Sequence, residues 1–391
     1  MTRKIFYEDQ YQKECDTNIK QVIENGNKIL LILEDSLFYP EGGGQPCDHG
    51  FIDDAEIIRV FEKDGTIYNE VSKAPNSSFV HCKLDFERRY DLMQQHTGEH
   101  LLSAAFLKKF NGVNKGFHLG DEYTTIDIDL PEISEDMERT AELEANNYIY
   151  KNTNISNFFV KRDEAQAMPL RTQLKVNDEL IRIVNMEGSD MCACCGTHLK
   201  TTGEVGIVKI IKIEKHKGMN RVYFKCGKRA LADYGNKHSI ISSLVRISAT
   251  EENKLEEKYL SQNEKIAELT KKLQQIKKKT AQSEGLDLIS RFKDEIIYKE
   301  YEDRDFDEVQ MISEEVIKKN IIFIGVSEND RKIIANHNGY SNMNLGEIFR
   351  LNIKDFGGKG GGDAKRAQGT FQNTADLKEF SDLLITKVTG Q

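Results

Sequence analysis

Two groups of residues in this 391-residue chain carry side chains that could do chemistry. The first is His96-Thr97-Gly98-Glu99-His100. On a helix, positions i and i+4 share one face, so imidazoles spaced this way can converge on one metal ion. A His-Glu-x-x-His protease motif is absent, because Thr97 stands where that motif needs its glutamate. The second group is Cys192-Ala193-Cys194-Cys195-Gly196-Thr197-His198. A thiolate and an imidazole close in sequence suit zinc, and the two groups together offer the mixed nitrogen and sulfur donors that zinc takes tetrahedrally. The plainer alternatives are unrelated histidines, buried structural thiols or a redox pair. Adjacent Cys194 and Cys195 are geometrically poor disulfide partners. Seven cysteines spread over a long chain, three of them clustered, point to metal before redox chemistry.

A third feature is Ser36-Leu37-Phe38-Tyr39-Pro40-Glu41-Gly42-Gly43-Gly44-Gln45. Its three glycines let a ligand or another segment approach the backbone closely, although a plain turn has the same composition. A fourth is a basic stretch from residue 209 to 229. Lys209, Lys212, Lys215, Lys217, Arg221, Lys225, Lys228 and Arg229 there face Glu214 alone, which makes a candidate phosphate-binding patch or a solvated strand face. Lys359 sits in Gly357-Gly358-Lys359-Gly360-Gly361-Gly362, with Lys365-Arg366 after it. No Gly-Lys-Ser or Gly-Lys-Thr follows, so a nucleotide-binding P-loop is disfavoured.

These side chains need elements to hold them. Residues 1–85 read as β-rich: an apolar run at Lys28–Leu33, then short strands at 51–60 and 65–71 broken by Asp-Gly signals. A small barrel or sandwich fits. From Phe86 to Phe110 the period turns helical, with Tyr90, Met93, Leu101, Leu102, Ala105 and Phe106 as the apolar face and Asn111-Gly112 as the stop. A strand at 124–130, a helix at 133–150 and a strand pair at 206–213 and 221–225 around Lys217-Gly218 make this region α+β. Leu255, Tyr259, Gln262, Ile266, Leu269, Leu273 and Ile276 alternate steps of four and three, a coiled-coil pattern that also fits a charged helix packed on its own chain. Residues 285–391 read as an α/β unit with a buried strand at 320–326 and a last helix at 374–386.

The composition is that of a soluble globular chain, 38% hydrophobic and 30% charged, with a net charge of −9. No apolar run approaches the roughly 20 residues of a membrane span, and the first residues lack a signal-peptide core. A cytoplasmic protein with no membrane partner is the expectation.

The set Phe38-Tyr39-Pro40-Glu41-Gly42-Gly43-Gly44-Gln45, then His96-Thr97-Gly98-Glu99-His100, then Cys194-Cys195-Gly196-Thr197-His198, in that order, resembles the editing domain of alanyl-tRNA synthetases and the free-standing editing proteins of the AlaX type. Residues 221–230 resemble the strand that closes that domain. Residues 357–362, with Ala367-Gln368-Gly369, resemble the DHHA1 domain at the synthetase C-terminus. The likeness starts almost at residue 1, which implies the free-standing long form. It implies an α+β multidomain fold: an N-terminal β-barrel (1–85), a zinc-binding α+β editing domain (86–235), a helical or coiled-coil arm (236–284) and a C-terminal DHHA1-like α/β domain (285–391). It implies Zn2+ on His96, His100, Cys194 and His198. The family's second motif reads Cys-Gly-Gly-Thr-His, and Cys195 replaces its first glycine. The resemblance further implies Ser36 and Gln45 facing the aminoacyl group, Gly42, Gly43 and Gly44 beside the substrate, and Lys209, Arg221 and Lys359 on tRNA. The activity implied is hydrolysis of Ser-tRNA(Ala) or Gly-tRNA(Ala) by a homodimer. Two alternatives stand beside it. One is a DHH-type phosphoesterase, for which Asp48-His49-Gly50 is the nearest string and lacks the second histidine. The other is a non-catalytic tRNA-binding protein.

Overall fold

The structure is a computed structural model that describes residues 2–26, 28–174, 178–292 and 294–390. It is a mixed α/β chain of two compact units, 1–243 and 244–391.

In the first unit six strands close a barrel: β1 (Glu14–Asn25), β2 (Lys28–Leu33), β3 (Gly50–Ile52), β4 (Ala55–Lys63), β5 (Thr66–Val71) and β6 (Phe79–Leu84), in the order β1-β2-β5-β4-β3-β6. Closure removes the free strand edges. Leu31, Leu33, Ile52, Val60, Ile67 and Cys82 fill the interior, and the segment after β2 returns Leu37, Phe38 and Tyr39 to the same core.

Helix α1 (Phe86–Phe110) follows directly. Asp85 caps it by accepting a hydrogen bond from the Arg88 N–H at 3.1 Å, and Asn111 ends it in the left-handed conformation, φ 54°. Leu101, Leu102, Ala105 and Phe106 pack on an antiparallel sheet of β7 (Val113–Leu119), β8 (Thr124–Asp129), β12 (Val208–His216) and β13 (Met219–Cys226), in the order β12-β13-β8-β7. Helix α2 (Glu135–Lys151) packs into the same core. The expected turn at Lys217-Gly218 is present, with φ of 49° and 80°. A second sheet of β9 (Ile155–Lys161), β10 (Leu180–Met186) and β11 (Asp190–Ala193) delivers the cysteine motif. Helix α3 (Gly227–Ser248) follows β13.

Arg89 on α1 and Asp48 after the glycine turn form an ion pair with neither side chain exposed. Arg89 also donates to the Gln10 and Leu37 carbonyls at 3.1 and 3.0 Å, and Asp48 accepts from the Tyr39 N–H at 2.6 Å. Asp48 is therefore a structural residue and offers nothing to a DHH-type reading.

The second unit contains helix α4 (Leu255–Arg291) and a five-stranded sheet of β14 (Ile296–Tyr301), β15 (Ile322–Ser327), β16 (Lys332–Asn336), β17 (Lys359–Gly362) and β18 (Arg366–Thr370), in the order β14-β15-β16-β18-β17. Alternate residues of β15 face opposite layers. Phe323 packs with α4 and α5 (Phe306–Val316), while Ile322, Ile324 and Val326 pack with α6 (Leu345–Asn352) and α7 (Thr374–Thr389). The glycine segment 357–362 is in part strand β17. A Cβ on Gly360 or Gly362 would overlap the backbone of β18, so the glycines serve close strand packing. Among the described residues, no helix is long and apolar enough to cross a membrane.

Candidate metal centre

The middle of α1 is buried on every side, yet much of it is polar: Gln94, Gln95, His96, Thr97, Glu99, His100 and Ser103 all lie inside. Buried polar side chains in such number mark a site rather than a packing face. Gly98 makes the approach possible, because a Cβ there would overlap the Cys226 sulfur on β13.

His96 and His100 project from one face of α1, and Cys194 and His198 come from the segment after β11. Their four donor atoms lie within 4.8 Å of one another. Cys194 Sγ is 3.4 Å from His96 Nε2 and 3.3 Å from His198 Nε2. The other nitrogen of each ring is already engaged: His96 Nδ1 with Gln45 Oε1 at 2.9 Å, His100 Nδ1 with Asp190 Oδ2 at 2.9 Å, and His198 Nδ1 with Thr97 Oγ1 at 3.4 Å. Holding one ring nitrogen turns the other inward, the arrangement by which proteins orient metal-ligating histidines. Burial raises the Cys194 thiol, but His96 and His198 outweigh it and hold the group well below the usual thiol range. Burial, then His96, pushes His198 well below the usual imidazole range. A thiolate and a neutral imidazole are the forms a metal takes. The set could hold a metal ion, and three imidazole nitrogens with one sulfur fit zinc.

A cavity of about 400 Å3 opens beside these donors, lined by Gly43, His96, Glu99, His100, Asn114, Phe117, Arg171, Arg182, Leu180, Cys194 and Cys195 among others. Gly43 of the glycine motif reaches it. Gly44 lies behind it at φ 85°, where a Cβ would stand 2.6 Å from Phe117. Gly42 closes the turn by exchanging two backbone hydrogen bonds of 3.0 Å with Gln45.

Two residues expected at the aminoacyl group do not line this cavity. Ser36 is fully buried and donates its hydroxyl to the Phe38 carbonyl at 3.1 Å. Gln45 uses both ends of its amide: Oε1 accepts from the Thr197 N–H at 3.0 Å and faces His96, and Nε2 donates to Thr197 Oγ1 at 2.8 Å. Each is already engaged: Ser36 by a carbonyl two residues on, and Gln45 by Thr197 of the cysteine motif.

The basic stretch is also differently used. Lys209 pairs with Glu142 at 2.7 Å, Arg221 with Asp127 at 2.7 Å, Lys212 with Glu214 at 2.6 Å, Lys225 with Asp233 at 3.2 Å and Arg229 with Asp91 at 2.6 Å. Glu142, Asp127 and Asp91 from other segments compensate Lys209, Arg221 and Arg229, so Lys209 and Arg221 do not form a bare phosphate patch. Lys359 is exposed on β17 in the second unit.

Asp190 and Arg171 were not foreseen from the sequence, and Glu99 was given no role within the first motif. Asp190 accepts from Arg171 Nε at 2.9 Å as well as facing His100, and Cys192 Sγ is 3.4 Å from His100 Nδ1. Alternate positions counted back from Cys194 along a strand fall on Cys192 and Asp190, so the period-2 rule contained this signal. Gly196, the glycine retained from the family motif, faces His96, and a Cβ there would overlap that ring.

Residues 181–223 match the family described as the threonyl and alanyl tRNA synthetase second additional domain. The alanyl-tRNA editing protein AlaX-L of Pyrococcus horikoshii is 30% identical over 99% of this chain and 98% of its own length. The alanine–tRNA ligase of Pyrococcus furiosus is 29% identical over 100% of this chain, which spans 43% of that ligase. The alanyl-tRNA editing protein Aarsd1 of Rattus norvegicus is 30% identical over 62% of this chain and 63% of its own.

Proposed function

The chain belongs to the family of alanyl-tRNA editing proteins, and from that premise we propose that it is a trans-acting deacylase of mischarged tRNA(Ala). The substrates are Ser-tRNA(Ala) and, second, Gly-tRNA(Ala), and the cofactor is zinc on His96, His100, Cys194 and His198. The observation that carries this reading is the convergence of those four donors on a cavity large enough for an aminoacyl group.

The chemistry has a physical rationale. A pocket built for alanine cannot strongly reject glycine, which is smaller, or serine, which only adds a hydroxyl. A second, hydrolytic site removes the error. It discriminates best when its own polar groups go unpaired without the serine hydroxyl. Zinc held by His96, His100, Cys194 and His198 would supply Lewis-acid chemistry at the ester. The protein's share is to fix the rings through Gln45, Asp190 and Thr97 and to wall the cavity with Phe117, which stacks on His96 at 5.0 Å. The tRNA body falls to the arm and the C-terminal unit, with Lys359 exposed there. Tyr259, Ile266, Leu269, Leu273 and Ile276 on α4 are more than half exposed, which supports a paired arm and hence a homodimer. A cytoplasmic location fits a substrate of translation.

The test is deacylation of purified Ser-, Gly- and Ala-tRNA(Ala) by the zinc-loaded chain. Loss of serine with alanine retained is the expected result. No loss from any of the three would leave a tRNA-binding protein as the better account.

A further inference from the structure

Glu99 is 4% exposed and lines the cavity. Its Oε1 is satisfied, accepting from Ser103 Oγ at 2.6 Å and Asn114 Nδ2 at 2.8 Å. Among the described residues its Oε2 takes no hydrogen bond, and His100 Nε2 stands 3.7 Å from it. One guanidinium serves two carboxylates here: Arg171 binds Asp190 at 2.9 Å and stands 3.8 Å from Glu99. Glu99 thus turns one carboxylate oxygen to the cavity with no described donor on it, a ready acceptor for a cationic group.

We propose that Glu99 Oε2 binds the α-ammonium group of the aminoacyl ester, which makes Glu99 a substrate-binding residue that separates aminoacyl-tRNA from N-blocked acyl-tRNA. The inference rests on the deacylase reading above. Ser103 and Asn114 hold Oε1, so the carboxylate plane is fixed before substrate arrives and Oε2 is the free acceptor. An ammonium group offers three donors and a full charge, the complement of that oxygen. An amide nitrogen, as in an N-acetylated aminoacyl group, offers one donor and no charge.

The experiment compares Ser-tRNA(Ala) with N-acetyl-Ser-tRNA(Ala), each corrected for its uncatalysed hydrolysis. The enzymes are the full-length zinc-loaded wild type and Glu99→Gln, with zinc content measured on both. The wild type should favour the free ammonium by about ten- to a hundredfold in kcat/KM, the range of a hydrogen bond to a charged group. Glu99→Gln should raise KM for the seryl ester more than it lowers kcat, and the preference should collapse toward one. Zinc content should stay at the wild-type level. Equal wild-type hydrolysis of both esters would overturn the proposal without any variant. So would an unchanged preference in Glu99→Gln, or loss of zinc from it, which would make Glu99 a metal ligand. A wild type active on the seryl ester in those cases leaves the deacylase reading standing. A wild type inactive on both esters ends the deacylase reading and the proposal with it.

Discussion

At the scale of single residues, the centre depends as much on what stands behind the donors as on the donors. Gln45, Asp190 and Thr97 each occupy the outer nitrogen of one ring, and Gly196 leaves room for His96. Gly196→Ala should therefore displace His96 and lower zinc affinity by about ten- to a hundredfold, the usual cost of disturbing the shell around a ligand. Competition with a chromogenic chelator measures it, and wild-type affinity in the variant would refute the assigned role. The two motifs were legible as metal-binding candidates because helical spacing and the short Cys194–His198 interval are local facts, while the choice of Cys194 came from the family resemblance. The partners of Ser36 and Gln45 were not legible, because sequence shows that a polar group is present but not which neighbour takes it. Gln45 meets Thr197 across 152 positions. Asp190 was missed although alternation along a strand places it with Cys194.

At the scale of elements, α1 is the member on which barrel, sheet and metal donors converge. Its end was legible from Asn111, because a cap acts through adjacent backbone groups. Its buried ion pair was not, since Arg89 and Asp48 are 41 residues apart. Arg89→Ala leaves Asp48 charged and buried without its partner, and should cost about 3–5 kcal/mol in urea denaturation. A loss near zero would remove the pair from the account. At the far end of α1, Lys108 and Lys109 clamp Glu144 of α2 at 2.8 and 3.0 Å, and the hydrogen bond from Lys108 is the largest cause holding that carboxyl down at about 2. A depressed carboxyl stabilises the fold above its unfolded pKa, and that contribution fades as pH falls through the folded value. Glu144→Gln should thus lower the melting temperature at about pH 7, with the gap from wild type narrowing toward about pH 2. A gap that widens in acid would reverse the sign of this argument. The strand pair β12–β13 was legible as strands, but its charge was not. Lysines and arginines were visible as a run, while Glu142, Asp127 and Asp91 come from other segments.

At the scale of the molecule, the heptad face of α4 is largely exposed. Ile266 is 62% exposed and Leu273 is 52% exposed, values at odds with a helix packed on its own chain along that stretch. The double variant Ile266→Glu, Leu273→Glu should convert a dimer into a monomer at micromolar concentration, read by light scattering. An identical mass for wild type and variant would remove the arm from the interface. The division into units was only partly legible, because a heptad pattern announces a long helix without saying what it meets.

If the zinc centre performs the editing, metal and activity move together. Zinc content and seryl-tRNA(Ala) deacylation are followed in the wild type and Cys194→Ala, before chelation, after it and after zinc is restored. The wild type should lose and regain both, Cys194→Ala should hold neither, and the alanyl ester should be spared throughout. A metal-free protein that still removes serine at the full rate, or a zinc-loaded wild type that removes none, would contradict that role of the zinc centre.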